Sequence, residues 1–331
     1  MQIAVSGSIA TDNLMRFDGR FADSLVVEQL DKISLSFLVD NLEIRRGGVA
    51  ANITFGMGCL GLRPILVGAV GRDFAEYGAW LEDHGVDIGS VRTSDMRHTA
   101  RFISTVDDDN AQIATFYSGA MAETGEVRLR SIAESHGGLD LVVIGASDPD
   151  GMLGHTRECR DNGYPFLADP SQQLAFMDGD GIRDLIDGAT YLFTNDYEAA
   201  LTEQKTGWSA EEVLSRVGTR VTTLGKDGVR IDRAGVDPLF VPAAPVQRIA
   251  DPTGVGDGFR AGFLAGLSWQ VGIERCAQLG SLLAGHVLEV MGPQDYEFKP
   301  ADFGKRFAEA FGEDAAAEIE PHLNAAEASG R

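Results

Sequence analysis

The sequence predicts an α/β fold: a mainly parallel sheet covered by helices on both faces, with a small β-sheet standing apart. Three observations lead there. From Leu139 onward, short apolar runs alternate with helix-length segments, as parallel strands with crossover helices do. Polar clusters follow those runs, where such sheets bind ligands. Two β-rich regions, 14–45 and 99–117, do not read as βα units, and we assign them to the small sheet as a lid. The main body is then expected to comprise 1–13, 46–98 and 118–326.

Taken in order, Gln2 to Ser6 reads as a buried strand leading into Gly7-Ser8-Ile9-Ala10-Thr11-Asp12. No G-x-G-x-x-G follows it, which excludes a dinucleotide-dependent dehydrogenase. Residues 14–45 alternate weakly, with short extended pieces such as Ile33 to Phe37. Arg46-Gly47-Gly48 opens a helix to about Leu60, Pro64 to Val70 is a strand, and Asp73 to His84 is an amphipathic helix presenting Phe74, Tyr77, Trp80 and Leu81. Two β-rich runs, Arg101 to Val106 and Gln112 to Tyr117, flank the turn Asp107-Asp108-Asp109-Asn110. Further strands are expected at Leu139 to Ile144, Pro165 to Ala168, Tyr191 to Thr194 and Arg220 to Leu224. Helices are expected near 128–136, 150–162, 180–187 and 196–217. Glu274 to Val290 and Phe303 to Ala326 close the chain as helices, and the end at Gly330-Arg331 is expected to fray.

Composition narrows the function. The 331 residues carry 28 basic and 50 acidic side chains, a net charge of −22. That field argues against nucleic-acid or anionic-membrane partners, and an anionic ligand must be held by a local site. Cys59, Cys159 and Cys276 form no C-x-x-C pair and read as buried reduced thiols. The six histidines show no metal-ligand spacing. The first residues lack a signal-peptide pattern and no apolar run approaches membrane-spanning length, so the expected compartment is the cytoplasm.

One stretch carries chemistry. Asp251-Pro252-Thr253-Gly254-Val255-Gly256-Asp257 runs from an extended segment, Phe240 to Ile249, into a small-residue apolar helix, Phe259 to Leu267. Glycines at 254 and 256 permit a sharp turn and leave the amides of Gly254, Val255 and Gly256 open to a ligand. A helix starting there directs free N–H groups at phosphate. A carboxylate beside a pure phosphate site would oppose its ligand. Asp257 makes sense if it takes the proton from an alcohol while the amides hold charge on a transferring phosphoryl group. The plainer alternative is an aspartate capping a helix.

Gly47-Gly48 with Asn52, and the late Gly-rich stretch, together resemble the two signatures of the ribokinase-like (phosphofructokinase-B) sugar and nucleoside kinases. Val67-Gly68-Ala69-Val70-Gly71-Arg72-Asp73 and Asn195-Asp196-Tyr197-Glu198 look like that family too, and the likeness spans about residues 1–295. Pro252 and Val255 replace the commoner Thr and Ala. Ser6 to Asp12, Leu35 to Asp40 and Asp169-Pro170-Ser171-Gln172-Gln173 look most like bacterial adenosine kinases of the mycobacterial type.

The resemblance implies a ribokinase-like three-layer sandwich with a β lid, transferring the γ-phosphoryl of ATP to the 5′-hydroxyl of adenosine. Ser8, Asp12, Gly48 and Asn52 would hold ribose hydroxyls. Phe102 and Phe116, with Ser36, Gln172 and Gln173, would surround the purine. Asn195, Thr223, Gly225 and Gly228 would meet ATP, and Glu198 would position Mg²⁺ through water. K⁺ would sit on carbonyl oxygens at Asp251 and Thr253. Asp12 suits a vicinal diol, since a carboxylate accepts two O–H bonds. Paired phenylalanines suit a flat base. Each residue also has a structural alternative: packing for the phenylalanines, a turn for Asp12, a helix N-cap for Asn195. A lid sheet needs its face covered, which suggests a homodimer. Two rival functions stay open: a ribokinase- or fructokinase-like sugar kinase, and a non-catalytic nucleotide-binding regulator.

Overall fold

Residues 1–25, 31–32 and 34–328 are described in the computed structural model. The chain opens with β1 (Ile3–Ser6), β2 (Ala10–Arg16), α1 (Phe21–Ser24), β3 (Asn41–Gly47), α2 (Val49–Cys59), β4 (Ile65–Val70), α3 (Ala75–Asp83) and β5 (Val91–Thr93). Next come β6 (Ala100–Val106), β7 (Gln112–Tyr117), α4 (Leu129–His136), β8 (Leu141–Ile144), α5 (Pro149–Asn162), β9 (Phe166–Ala168), α6 (Gly179–Ile186) and β10 (Tyr191–Asn195). The rest is α7 (Asp196–Thr206), α8 (Ala210–Arg216), β11 (Thr219–Thr223), β12 (Val229–Arg233), β13 (Val236–Val241), α9 (Val255–Ser268), α10 (Ile273–Leu288), α11 (Pro300–Phe311) and α12 (Glu313–Ala328).

The large sheet runs β13-β12-β11-β10-β9-β8-β1-β4-β5 and is parallel from β11 to β5, with the β12–β13 hairpin antiparallel at one edge. Its inner strands β1, β4, β8 and β9 are buried throughout because both faces are covered. Ile3, Val5, Leu141 and Val143 pack into a core with α2, α9 and α10, while Ala4, Val142 and Ile144 pack oppositely with α4, α5 and α6. The exposed edge strand β13 carries Pro238, which lacks the N–H needed to recruit another strand. The small sheet is separate, in the order β3-β2-β6-β7. Among the described residues no helix is long and apolar enough to cross a membrane.

The structure departs from the sequence reading in identifiable places. The single helix expected over 196–217 is two: Gly207 takes φ 71° and ends α7, and Ser209 with Glu212 forms a capping box that starts α8. Gly312 likewise divides 303–326 into α11 and α12. The extended run Phe240 to Ile249 keeps only Phe240 and Val241 in a strand, and β12 was not anticipated. Ser34 to Phe37 form no strand; Ile33 and the Gly330-Arg331 end lie outside the described residues. The small sheet starts at Ala10 and reaches Gly47, so Asp12 lies on a strand and not in a loop after β1. Of the cysteines, Cys159 and Cys276 are buried and Cys59 half-buried, all three free.

Candidate active site

The helix α9 begins where the glycines dictate. Gly254 is its N-cap at φ 75°, a left-handed conformation that disfavours side chains, and a Cβ there would lie 2.4 Å from that of Pro293. The first N–H groups of a helix have no partner within it. Among the described residues nothing accepts from the amides of Gly254, Gly256 or Asp257. Val255 differs from expectation: its N–H already reaches the Pro252 carbonyl at 3.3 Å. The open cradle is therefore built from the amides of residues 254, 256 and 257.

Asp257 stands in the first turn of α9, partly open to a cleft of about 970 Å³. Asn52, buried on α2, donates from Nδ2 to Asp257 Oδ2 at 2.8 Å. Burial raises the Asp257 carboxyl from the usual 3.8 to about 7; Arg260 and the Asn52 bond oppose the rise, while Asp169 and Glu198 add to it. A carboxyl with that value is ionised above neutrality and fits proton transfer near pH 7. Arg260 lies behind it, 6% exposed, ion-paired with the fully buried Asp169 and donating from Nη1 to the Gly256 carbonyl at 2.9 Å.

The cleft also gathers Asn195, Glu198, Thr223, Gly225, Gly228 and Gln172. Asn195 caps α7: its Oδ1 accepts the Glu198 N–H at 2.8 Å, and Glu198 Oε2 accepts the Asn195 N–H at 2.8 Å. The N-cap alternative for Asn195 is thus realised while both residues still line the cleft. Burial raises the Glu198 carboxyl. Among the described residues no three His, Cys, Asp or Glu side chains are grouped to hold a metal. Carboxylates that are not clustered suit Mg²⁺ that arrives with phosphates and keeps most of its waters.

On the small sheet, Asp12, Phe102 and Phe116 are register partners across β2, β6 and β7, so their side chains share one face. Burial lifts Asp12 to about 6, with Arg45 lowering it and Asp251 raising it. Gly48 has φ 97°, and a Cβ there would meet the Ser8 carbonyl at 2.6 Å. Ser8 is buried and its Oγ accepts the Val49 N–H at 2.9 Å, an anchor for the start of α2. Ser36 is exposed and does not line the cleft, and Gln173 is half-buried beside it without lining it. The Asp251 carboxylate accepts from Arg45, Thr253 and Gly292. Any monovalent cation there is left the backbone carbonyls.

Sequence reasoning missed Arg260, Gln294 and Tyr77. An arginine inside Phe259-Arg260-Ala261-Gly262-Phe263 was the available signal, because a charge in an apolar helix demands a buried partner. Nothing in sequence joined Tyr77 or Gln294 to the site.

An amide cradle and a carboxylate raised toward neutrality, at the strand ends of a three-layer sheet, define a small-molecule phosphotransferase. The profile of the pfkB family of carbohydrate kinases matches residues 22–299, and the chain belongs to that family. The fold superposes on a nucleoside kinase from Burkholderia thailandensis at TM-score 0.83 for the ligand-free form, 35% identical, covering 92% of this chain and 99% of that one. Its complex with inosine gives 0.80, over 94% and 98%. A nucleoside kinase from Methanocaldococcus jannaschii is 27% identical over 81% of this chain and 87% of its own. An ATP-dependent ribose-1-phosphate kinase from Halopiger xanaduensis is 30% identical over 72% and 80%. The chain is a nucleoside or sugar kinase of this ribokinase-like class.

Proposed function

We propose that the chain phosphorylates the 5′-hydroxyl of a purine nucleoside, adenosine first, with ATP as donor. The observation that carries this is the Asp257 carboxylate, fixed by Asn52 beside three open amides. It lines the cleft and is bonded to Asn52 of α2. The nucleoside rests against Asp12, Phe102 and Phe116, with the ribose toward Asn52 and Gly48. Asp257 accepts the hydroxyl proton as the oxygen attacks phosphorus, and the amides of 254, 256 and 257 hold the charge on the moving group. ATP occupies the cleft along Thr223, Gly225 and Gly228, with Lys226 and Arg260 as its lining cations. Mg²⁺, held near Asn195 and Glu198 through water, offsets phosphate charge.

The inosine complex of the Burkholderia relative supports a purine nucleoside over a free sugar. The Halopiger relative favours a sugar phosphate as the second reading, since Asp12, Asn52 and Asp257 serve either acceptor. An ADP-release assay with adenosine, inosine, guanosine, ribose, fructose and ribose 1-phosphate, run with and without K⁺, tests all of this. Purine nucleosides should turn over at least about tenfold faster at low substrate, and K⁺ on the Asp251 and Thr253 carbonyls should activate. Preferred turnover of any sugar overturns the acceptor assignment, and an indifferent K⁺ series removes the cation.

The four-stranded sheet acts as a lid whose other face pairs two copies. Leu42, Ile44, Ile113 and Tyr117 are all exposed, and the register places them opposite Asp12, Phe102 and Phe116. Sedimentation should show a dimer that Ile44→Asp with Ile113→Asp converts to a monomer. A parent chain already monomeric at micromolar concentration removes the proposal.

A further inference from the structure

We infer that Gln294, held in turn by Tyr77, is a positioning residue that fixes which end of the Asn52 amide meets Asp257. The inference rests on Asp257 being the base.

The polarity of the contact is set at a distance. The carbonyl oxygen of Gly47 can only accept, and the Tyr77 hydroxyl donates to it at 2.9 Å. With its proton spent, the Tyr77 oxygen acts as acceptor. Gln294 Nε2 donates to it at 2.6 Å and donates its second hydrogen to Asn52 Oδ1 at 2.9 Å. The oxygen end of Asn52 therefore faces Gln294, and the nitrogen end is left for Asp257 at 2.8 Å. Three side chains transmit the direction of one backbone carbonyl to the reacting carboxylate. The identity of amide ends is read from hydrogen-bond partners, and here each step forces the next.

The chain is buried: Tyr77 is 5%, Gln294 2% and Asn52 6% exposed. Water has little access to substitute for a missing partner. Gln294 also keeps its own Oε1 buried with no hydrogen bond, which native structures do rarely. The nitrogen end is spent on Asn52 and Tyr77 while the oxygen end goes unpaired, as expected if the bond to Asn52 is what the residue is there to make. Its loop braces the site at three consecutive positions. The Gly292 N–H donates to Asp251 at 3.2 Å, Pro293 sits against Gly254, and Gln294 holds Asn52.

The charges around Asp257 bear on any pH test. Arg260 of its own helix, Asp169 after β9 and Glu198 of α7 all act on it, and Lys226 lines the same cleft. None is altered by a change at Gln294 or Tyr77. Asn52 as donor favours the ionised base. If Asn52 turns its oxygen toward Asp257, the carboxylate is repelled and holds its proton to higher pH.

The test is the pH dependence of kcat/KM for the best nucleoside, with the full chain. The parent should rise with pH through a limb near neutrality. Gln294→Met and Gln294→Leu, which cannot donate and add no charge, should move that limb upward by about half a unit or more and lower the plateau about tenfold. The KM for ATP should change little. Gln294→Leu decides the matter if Gln294→Met does not fold, and Tyr77→Phe leaves Gln294 itself in place. Tyr77→Phe should give a smaller shift of the same sign. Limbs that superpose on the parent's overturn the inference. A parent with no limb, or a limb that survives in Asp257→Asn, overturns instead the assignment of the base.

Discussion

Replacing Asp257 by Asn is expected to lower turnover about 10²–10⁴-fold, the usual contribution of a positioned base, while nucleoside binding persists. Asparagine keeps the shape and still accepts from Asn52, so the loss isolates proton transfer. Stability should move the other way. The folded value of about 7 lies above the usual 3.8, so between those values the folded state holds a proton that the unfolded state has released. Stability is therefore lost as pH rises across that window. Asp257→Asn removes this penalty and should melt at a higher temperature than the parent at pH 8, with the gap closing toward pH 4. Differential scanning calorimetry at both pH values checks the second half, and single-turnover kinetics the first. Turnover within tenfold of the parent would end the base assignment.

The second large effect concerns the pair beneath the cradle. Arg260 and Asp169 meet almost without solvent, their side chains 7% and 0% exposed. The guanidinium also stands over the Phe193 ring at 5.8 Å. Breaking a buried pair by removing one partner strands the other charge and typically costs about 3–5 kcal/mol. Arg260→Met should therefore unfold at markedly lower denaturant, and Asp169→Leu likewise. The double replacement should recover most of the loss, because an apolar pair of similar volume leaves no stranded charge. Arg260→Met should also push the Asp257 limb upward, since Arg260 is the largest influence holding that carboxyl down. Denaturant titration of the two single variants and the double closes the cycle. A single-variant cost below about 1 kcal/mol would mean that water reaches the pair.

Much of this molecule was legible in the linear chain because local physics fixes it. Apolar runs with helices between them specified the parallel sheet. The β-rich runs around Asp107 to Asn110 became β6 and β7, since a hairpin forms from adjacent residues. Helix boundaries failed where a single glycine intervened, at Gly207 and Gly312. A glycine within a helical pattern can be tolerated or can take a left-handed turn, and only the packing of the next segment selects between them.

The glycine turn was readable because its conformation is local: Gly254 and Gly256 must open amides wherever they are placed, and Asp257 comes next in the first helical turn. Whether that carboxylate is a base was not readable, since its value near 7 arises from burial among Asn52, Arg260, Asp169 and Glu198. Those residues stand as many as 205 positions away in the chain. The sequence by itself determined the layered fold, the glycine turn and the acid beside it. Which amides stay open was decided by the fold, since the Val255 N–H is taken by the Pro252 carbonyl. Tertiary structure decided the protonation of that acid, the buried ion pair beneath it and the hydrogen-bond chain from Gly47. Desolvation and through-space charge depend on which groups pack together, and no local pattern encodes them.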